Sequence, residues 1–107
     1  MHNSEDDIIQ SILERIGSGF SQTRIVLFGS RARQDADERS DYDLLVVQRF
    51  TGRRRDVMSA LMRAMEGLGV AVDVIVMTPE EYERDQHIPG TIARMALLEG
   101  IVLYDAA

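Results

Sequence analysis

The 107-residue sequence contains no cysteine and no tryptophan, has only two histidines, and all twelve of its basic residues are arginine. Without cysteine the chain has no disulfide framework, no thiolate metal site and no cysteine nucleophile. Two histidines are too few for a zinc enzyme built on a histidine cluster. Because lysine is absent, the chain also has no Schiff-base lysine and no P-loop lysine.

Long hydrophobic runs are missing as well. Apolar runs such as residues 70–72 and 74–77 are far short of the roughly 20 apolar residues that cross a bilayer. The acidic residues 1–7 lack the layout of a signal peptide, in which a charged stretch precedes an apolar one. We therefore expect a cytoplasmic protein with no membrane association. The length fits one domain spanning residues 1–107.

The charge balance is acidic, with a formal net charge of −6. A broad basic face for nucleic acid is therefore not expected, and neither is a direct nucleic-acid partner. Three consecutive arginines at residues 53–55 suit either a nucleic-acid patch or the solvated start of a helix, and the overall charge favours the helix start.

Hydrophobic periodicity and turn residues divide the chain into nine elements, in the order helix, strand, helix, strand, helix, strand, helix, helix, strand. Ser4 is expected to cap the first helix, and Gly17 and Gly19 to end it. The second strand is apolar on both faces, so both faces should be covered, as in an α/β fold with helices flanking a small sheet. The expected strands are residues 24–28, 41–47, 70–77 and 101–104, and the expected helices include 30–36 and 91–99.

One candidate site feature is Gly29 followed by Ser30, directly after a buried strand and directly before a helix. Glycine lets the backbone turn tightly and approach a ligand closely, and a helix start favours phosphate. The Ser30 hydroxyl adds a donor, and Arg31 and Arg33 add charge nearby. The same pattern is also typical of a plain turn, so it does not establish a phosphate site by itself.

A second feature is the pair Asp41 and Asp43 at the start of a strand. Residues two apart in a strand point to the same face, so the two carboxylates project side by side. This arrangement costs energy unless a cation lies between them, and oxygen ligands suit Mg²⁺. A solvated acidic strand end explains the pair equally well.

Asp73 lies within an apolar run, where an ionised acid is costly unless it is paired or bound to metal. If its strand lies beside the second strand, Asp73 reaches Asp41 and Asp43, and three carboxylates can hold two Mg²⁺. An acid at a frayed strand end, or one paired with an arginine, is the structural alternative. Together with the other two aspartates, Asp73 favours the metal interpretation.

These stretches resemble the signature of the nucleotidyltransferase superfamily typified by DNA polymerase beta. The resemblance is carried by GSRAR at residues 29–33, followed by SDYDLLV at residues 40–46. The short chain and its ending, residues 90–104, resemble the minimal (MNT) branch, which often consists of antitoxins encoded beside a HEPN-domain toxin. Many relatives have glycine where this chain has Gln34, and if that position needs a positive φ, glutamine adopts it at some cost.

The resemblance implies a mixed sheet flanked by helices, like the palm of polymerase beta, and a Mg²⁺-dependent transfer of AMP from ATP. The acceptor would be a hydroxyl, tyrosine by family analogy, on a HEPN toxin bound as a hetero-oligomer. Carried over by position, Gly29 and Ser30 hold the nucleotide, Asp41 and Asp43 bind Mg²⁺, and Asp73 is the base or a metal ligand on the acceptor side. An antitoxin that neutralises its HEPN partner by binding alone is the alternative function.

Overall fold

The structure is a computed structural model that describes residues 5–17 and 24–106. The helices and strands follow the predicted order, while the expected Ser4 cap and the Gly19 stop lie outside the described residues. The elements are α1 (Glu5–Gly17), β1 (Arg24–Phe28), α2 (Ser30–Arg33), β2 (Tyr42–Val47), α3 (Arg54–Ala64), β3 (Val72–Met77), α4 (Pro79–Asp85), α5 (Ile92–Glu99) and β4 (Ile101–Asp105).

The four strands form one mixed sheet in the order β3-β2-β1-β4. β2 and β3 run parallel, joined by α3 as a crossover, whereas β1 is antiparallel to both β2 and β4. The predicted mixed sheet flanked by helices is therefore confirmed. Since β1 runs against its neighbours, its carboxyl end lies at the same end of the sheet as the amino ends of β2 and β3.

One face of the sheet, called here the closed face, carries alternate β2 residues Tyr42, Leu44 and Val46. α1 and α3 cover it, and the side chains of Ile12, Ile16 and Leu61 are fully buried there. The apolar spacing along α1 explains this packing, because residues three and four apart form one helix face.

The opposite face, called the open face, carries Asp43, Leu45 and Val47 on β2 and is covered by α4 and α5. Helical spacing predicts that four residues of α5 point inward: Ile92, Met95, Ala96 and Leu98. Ala96 is buried and Ile92 packs against the open-face core, as predicted, whereas Leu98 is 66% exposed and Met95 41%, so the prediction was wrong for those two. The two fully buried positions are alanines, whose small side chains let the helix lie close to the sheet. They are Ala93 and Ala96.

Two predicted boundaries also shift. α2 ends at Arg33 rather than at residue 36, because Gln34 adopts a left-handed conformation with φ 64° and ψ 27°. β3 begins at Val72 rather than Val70, so Asp73 is the second residue of its strand and is exposed. The burial cost expected for an acid in mid-strand therefore does not apply to Asp73.

The start of α4 forms as its sequence predicts. The Thr78 hydroxyl accepts a hydrogen bond from the Glu81 backbone N–H, and the Glu81 carboxylate accepts one from the Thr78 N–H, at 3.1 and 2.9 Å. Pro79 occupies the first helical position, where no N–H is needed. Over residues 5–17 and 24–106, the helices are all too short or too polar to cross a bilayer.

Candidate active site

The predicted acids lie at one end of the sheet. Asp43 on β2 is directly opposite Asp73 on β3, and the two strands are parallel. Neighbouring strands lie about 4.8 Å apart, so the two carboxylates leave the sheet side by side on the open face. Asp41 immediately precedes β2, two residues before Asp43, and is exposed. The charge of this third acid acts on Asp43.

Asp43 is the half-buried member of the three. Its pKa is raised above the ordinary value, first by loss of hydration and then by the negative charges of Asp73 and Asp41. The positive charge of Arg33 acts in the opposite direction. An acid held in this way favours a cation beside it, because a positive charge would relieve both the repulsion and the lost hydration.

The turn at Gly29 lies against Asp43. β1 ends at Phe28, whose register partner on β2 is Asp43. Gly29 has a φ of 75°, and a Cβ built on it would overlap the Oδ2 atom of Asp43. Only glycine fits this position, for both its backbone conformation and its space. Ser30 follows as the first residue of α2, so the first amides of that helix start next to the acids.

A cleft of about 440 Å³ opens above these groups. Gly29, Asp43 and Asp73 contribute to its polar part, while Met62 of α3 and Met95 of α5 stand on its rim with about two fifths of each side chain exposed. Helical spacing alone predicts a core position for both methionines. Helical spacing does not distinguish a core position from one beside a cleft, so no sequence signal identified them.

The two arginines of α2 diverge. Arg33 is exposed, and its guanidinium contacts Asp35 Oδ2 at 3.1 Å and Glu99 Oε2 at 3.4 Å. Its charge also acts on Asp43. Arg33 therefore lies on the side of the sheet that carries the acids.

Arg31 turns the other way. Its Nη2 and Nε atoms donate to the Ser40 carbonyl at 3.0 and 3.3 Å, and its guanidinium lies 4.4 Å from the ring centre of Tyr42. Tyr42 belongs to the closed face and is 1% exposed. The contact of Arg31 with Tyr42 is therefore on the side of the sheet opposite the cleft, and Arg31 does not line the cleft.

The donor set fits a hard cation better than a soft one. Asp41, Asp43 and Asp73 offer only oxygen atoms, and Mg²⁺ typically takes one or two carboxylates together with water and substrate phosphates. Within residues 5–17 and 24–106, no group of three or more acidic or histidine side chains is gathered closely enough to hold a metal by itself. The arrangement therefore suits a metal ion that is coordinated both by these carboxylates and by the phosphates of a bound ligand.

Comparison with known protein families shows to which family the chain belongs. The model of the family described as "Nucleotidyltransferase domain" matches residues 8–98 of the chain, a range that includes the Gly29 turn and all three acids. The chain belongs to the nucleotidyltransferase domain family. Members of this family generally use a nucleoside triphosphate and a divalent metal. Among curated proteins, none matches the chain.

Two solved structures share the fold of this nucleotidyltransferase. A protein from Sulfolobus solfataricus, described as a nucleotidyltransferase, is 27% identical, with a TM-score of 0.63 over 92% of this chain and 78% of that one. A toxin–antitoxin structure with AMP-PNP is 16% identical, with a TM-score of 0.62 over 91% of this chain and 73% of the other.

Proposed function

We propose that this nucleotidyltransferase transfers AMP from ATP to a tyrosine hydroxyl of a HEPN-domain toxin and thereby acts as its antitoxin in the cytoplasm. One observation carries the proposal: Asp43 lies in register beside Asp73 on an open face, directly against the Gly29 turn. The family supports nucleotidyl transfer. The fold of a protein from a toxin–antitoxin complex with AMP-PNP supports the choice of partner and nucleotide.

The turn and the start of α2 bind the triphosphate in this proposal. The backbone at Gly29 approaches the phosphates without a side chain between them, and the Ser30 hydroxyl donates to a phosphate oxygen. Arg33 adds positive charge on the same side of the sheet, and its exposed guanidinium exchanges Asp35 and Glu99 for phosphate.

Asp41 and Asp43 would hold Mg²⁺, two ions in the full complex, with Asp73 on the acceptor side. When bound, the ions would neutralise charge on the phosphates and favour the ionised form of the attacking hydroxyl. The raised pKa of Asp43 and its crowding by Asp73 and Asp41 are the observations that suit these residues to a cation.

The transfer step is an in-line displacement. The hydroxyl oxygen of the acceptor forms a bond to the α-phosphorus of ATP, and the bond from that phosphorus to the bridging oxygen of the β-phosphate breaks. Asp73 accepts the hydroxyl proton, and pyrophosphate leaves. Asp73 is placed for this role because it is exposed at the cleft next to Asp43.

The partner must bring its acceptor to the cleft between α3 and α5. The net charge of −6 favours association with a basic protein, and an RNA-cleaving toxin is of that kind. Nucleic acid itself is not expected to bind this acidic surface directly.

The test is AMP transfer followed by intact mass. The chain is purified with its toxin partner and incubated with Mg²⁺ and ATP, and each protein is examined for the mass of added AMP. We expect the addition on the toxin, at a tyrosine located by peptide sequencing. Asp43→Asn should reduce the rate more than about 100-fold, the usual cost of losing one group that stabilises charge in the transition state.

Asp56→Asn is the matched control, because Asp56 is an exposed acid in the first turn of α3, away from the three acids. It should transfer AMP at the normal rate. A toxin that is neutralised without gaining AMP, equally by the wild type and by Asp43→Asn, would identify the chain as an antitoxin that acts by binding alone.

A further inference from the structure

The sequence predicted that Arg31 adds positive charge near the nucleotide, but its side chain contacts Ser40 and Tyr42. Its side chain is only 11% exposed. Two of its nitrogens converge on one acceptor, the carbonyl oxygen of Ser40, which is the residue immediately before Asp41. The guanidinium group therefore holds the backbone of Ser40 in place, directly before Asp41.

Two further contacts hold the guanidinium in place. The centre of the Tyr42 ring lies 4.4 Å from the guanidinium carbon. Tyr42 is buried, and in the sequence it stands between Asp41 and Asp43. Glu5 of α1 pairs with Nη1 at 3.5 Å. Arg31 thus joins three elements: the turn after β1, the start of β2 and the start of α1.

Further hydrogen bonds hold the segment around Ser40, residues 37–42. The Asp37 carboxylate accepts from the Arg39 N–H at 2.8 Å, and the Ser40 N–H donates to the Asp37 carbonyl at 3.2 Å. The Tyr42 N–H donates to the Ala71 carbonyl at 2.9 Å, which ties the same segment to the start of β3. A displacement of Ser40 would therefore move Asp41 relative to the turn at Gly29.

We propose that Arg31 is a positioning residue that sets the distance between the Gly29 phosphate turn and the metal-binding carboxylate of Asp41, and that it does not touch the substrate. The inference rests on the function proposed above for Asp41 and Asp43. Its chemistry is the fork of the guanidinium: an Nε–H and an Nη2–H group donate together to one carbonyl oxygen beside an aromatic ring, a geometry that a lysine ammonium does not reproduce.

The test compares Arg31→Lys with Arg39→Lys. Arg39 is an exposed arginine next to Ser40, in the connection between α2 and β2, and serves as the control. Binding of Mn²⁺, in the presence of a non-hydrolysable ATP analogue, is measured by electron paramagnetic resonance on the folded chain. We expect Arg31→Lys to weaken Mn²⁺ binding about tenfold, the usual effect of removing a residue that orients a metal ligand. Arg39→Lys should bind Mn²⁺ as the wild type does.

Kinetics supplies the second readout. At saturating metal, Arg31→Lys should lower kcat for AMP transfer and leave the KM for ATP within about twofold, because the nucleotide contacts are intact. A raised KM for ATP with unchanged Mn²⁺ affinity would instead show that Arg31 touches the nucleotide and would overturn the inference. Unchanged Mn²⁺ affinity together with unchanged kinetics would overturn it too.

The outcomes separate this inference from the proposed function. A wild-type chain that binds Mn²⁺ but transfers no AMP refutes the function, while the metal-binding comparison of Arg31→Lys and Arg39→Lys still decides the role of Arg31. Arg31→Ala is the more drastic change and removes buried side-chain contacts, so Arg31→Lys, which keeps the charge and most of the volume, is the variant that decides.

Discussion

The two faces of the sheet are covered by helices in different ways. On the closed face, α1 and α3 bring large aliphatic side chains into full contact with the strands, and this cluster includes Ile12, Leu44 and Leu61. On the open face, α5 approaches through Ala93 and Ala96, while its larger residues Met95, Leu97 and Leu98 remain exposed. The closed face stabilises the fold, whereas the open face leaves room at one end of the sheet for a cleft and its acids.

The largest expected difference between the faces is in stability. Leu61→Ala should lower the free energy of unfolding by about 3 kcal/mol, since it creates a cavity in the closed-face core. Leu98→Ala, the same change on the exposed side of α5, should cost less than about 0.5 kcal/mol. Urea unfolding of both variants measures the two values. Equal losses would mean that Leu98 is buried in solution.

Asp43 provides the next test, because it is a crowded acid at the edge of the open face, whereas large aliphatic side chains fill the closed face. Asp43→Asn should raise the melting temperature without metal by roughly 2–5 °C. The pKa of Asp43 is raised in the fold, so its charge destabilises the folded chain fully above that raised pKa. As the pH falls through the folded pKa towards the ordinary value, the carboxyl becomes neutral and the advantage of asparagine should disappear.

Bound metal should make the wild type melt at a higher temperature than Asp43→Asn. Millimolar Mg²⁺ with an ATP analogue should raise the melting temperature of the wild type and leave Asp43→Asn nearly unchanged, because a ligand stabilises only the state that binds it. If the wild type and the variant responded to the ligand alike, Asp43 would not be part of the metal site.

A smaller effect is expected at the start of α4, which covers the open face. The pKa of Glu81 is lowered, first by the hydrogen bond from the Thr78 backbone N–H and further by Arg54. Its contribution is therefore complete above the ordinary pKa of the unfolded chain and is lost as the pH falls through the lower folded pKa. Glu81→Gln should cost about 0.5 kcal/mol at pH 7 and nothing in stronger acid. Thermal unfolding across this pH range measures it.

An effect of similar size and opposite sign is expected at Gln34, which ends the short helix whose two arginines face opposite sides. Gln34→Gly should stabilise the fold by about 0.5 kcal/mol, because relief of the left-handed conformation exceeds the added entropy of the unfolded chain. Chemical denaturation measures this gain. A loss of stability would mean that the Gln34 side chain makes a contact that outweighs its backbone strain.

The order of helices and strands was predictable because local patterns carry it. Thr78, Pro79 and Glu81 supply their own hydrogen bonds and backbone angles, so that helix start required no knowledge of the rest of the chain. The inward face of α5 was not predictable in this way. Hydrophobic periodicity placed Met95 and Leu98 inside together with Ala96, but the close approach of this helix to the sheet buries Ala93 with Ala96 and leaves the two larger side chains exposed.

The candidate site divides similarly. The pair Asp41 and Asp43 follows from the two-residue period of a strand, and Gly29 from its place between a strand and a helix. That Asp73 is the neighbour of Asp43 depends on which strands pair, and the sequence could state it only as a condition. The divergence of Arg31 and Arg33 depends on the abrupt end of α2 and on where Ser40 and Tyr42 lie.

By itself, the sequence determined the succession of elements and the chemistry available to the site: carboxylate oxygens, a glycine turn and arginines, with no thiol or lysine. The tertiary structure alone decided the register of β2 and β3, the cleft between α3 and α5, and the separate surroundings of Arg31 and Arg33. The physical reason is the distance along the sequence over which each kind of interaction acts. Backbone propensities act over a few residues, whereas contacts between distant residues exist only after packing has chosen among many compatible arrangements.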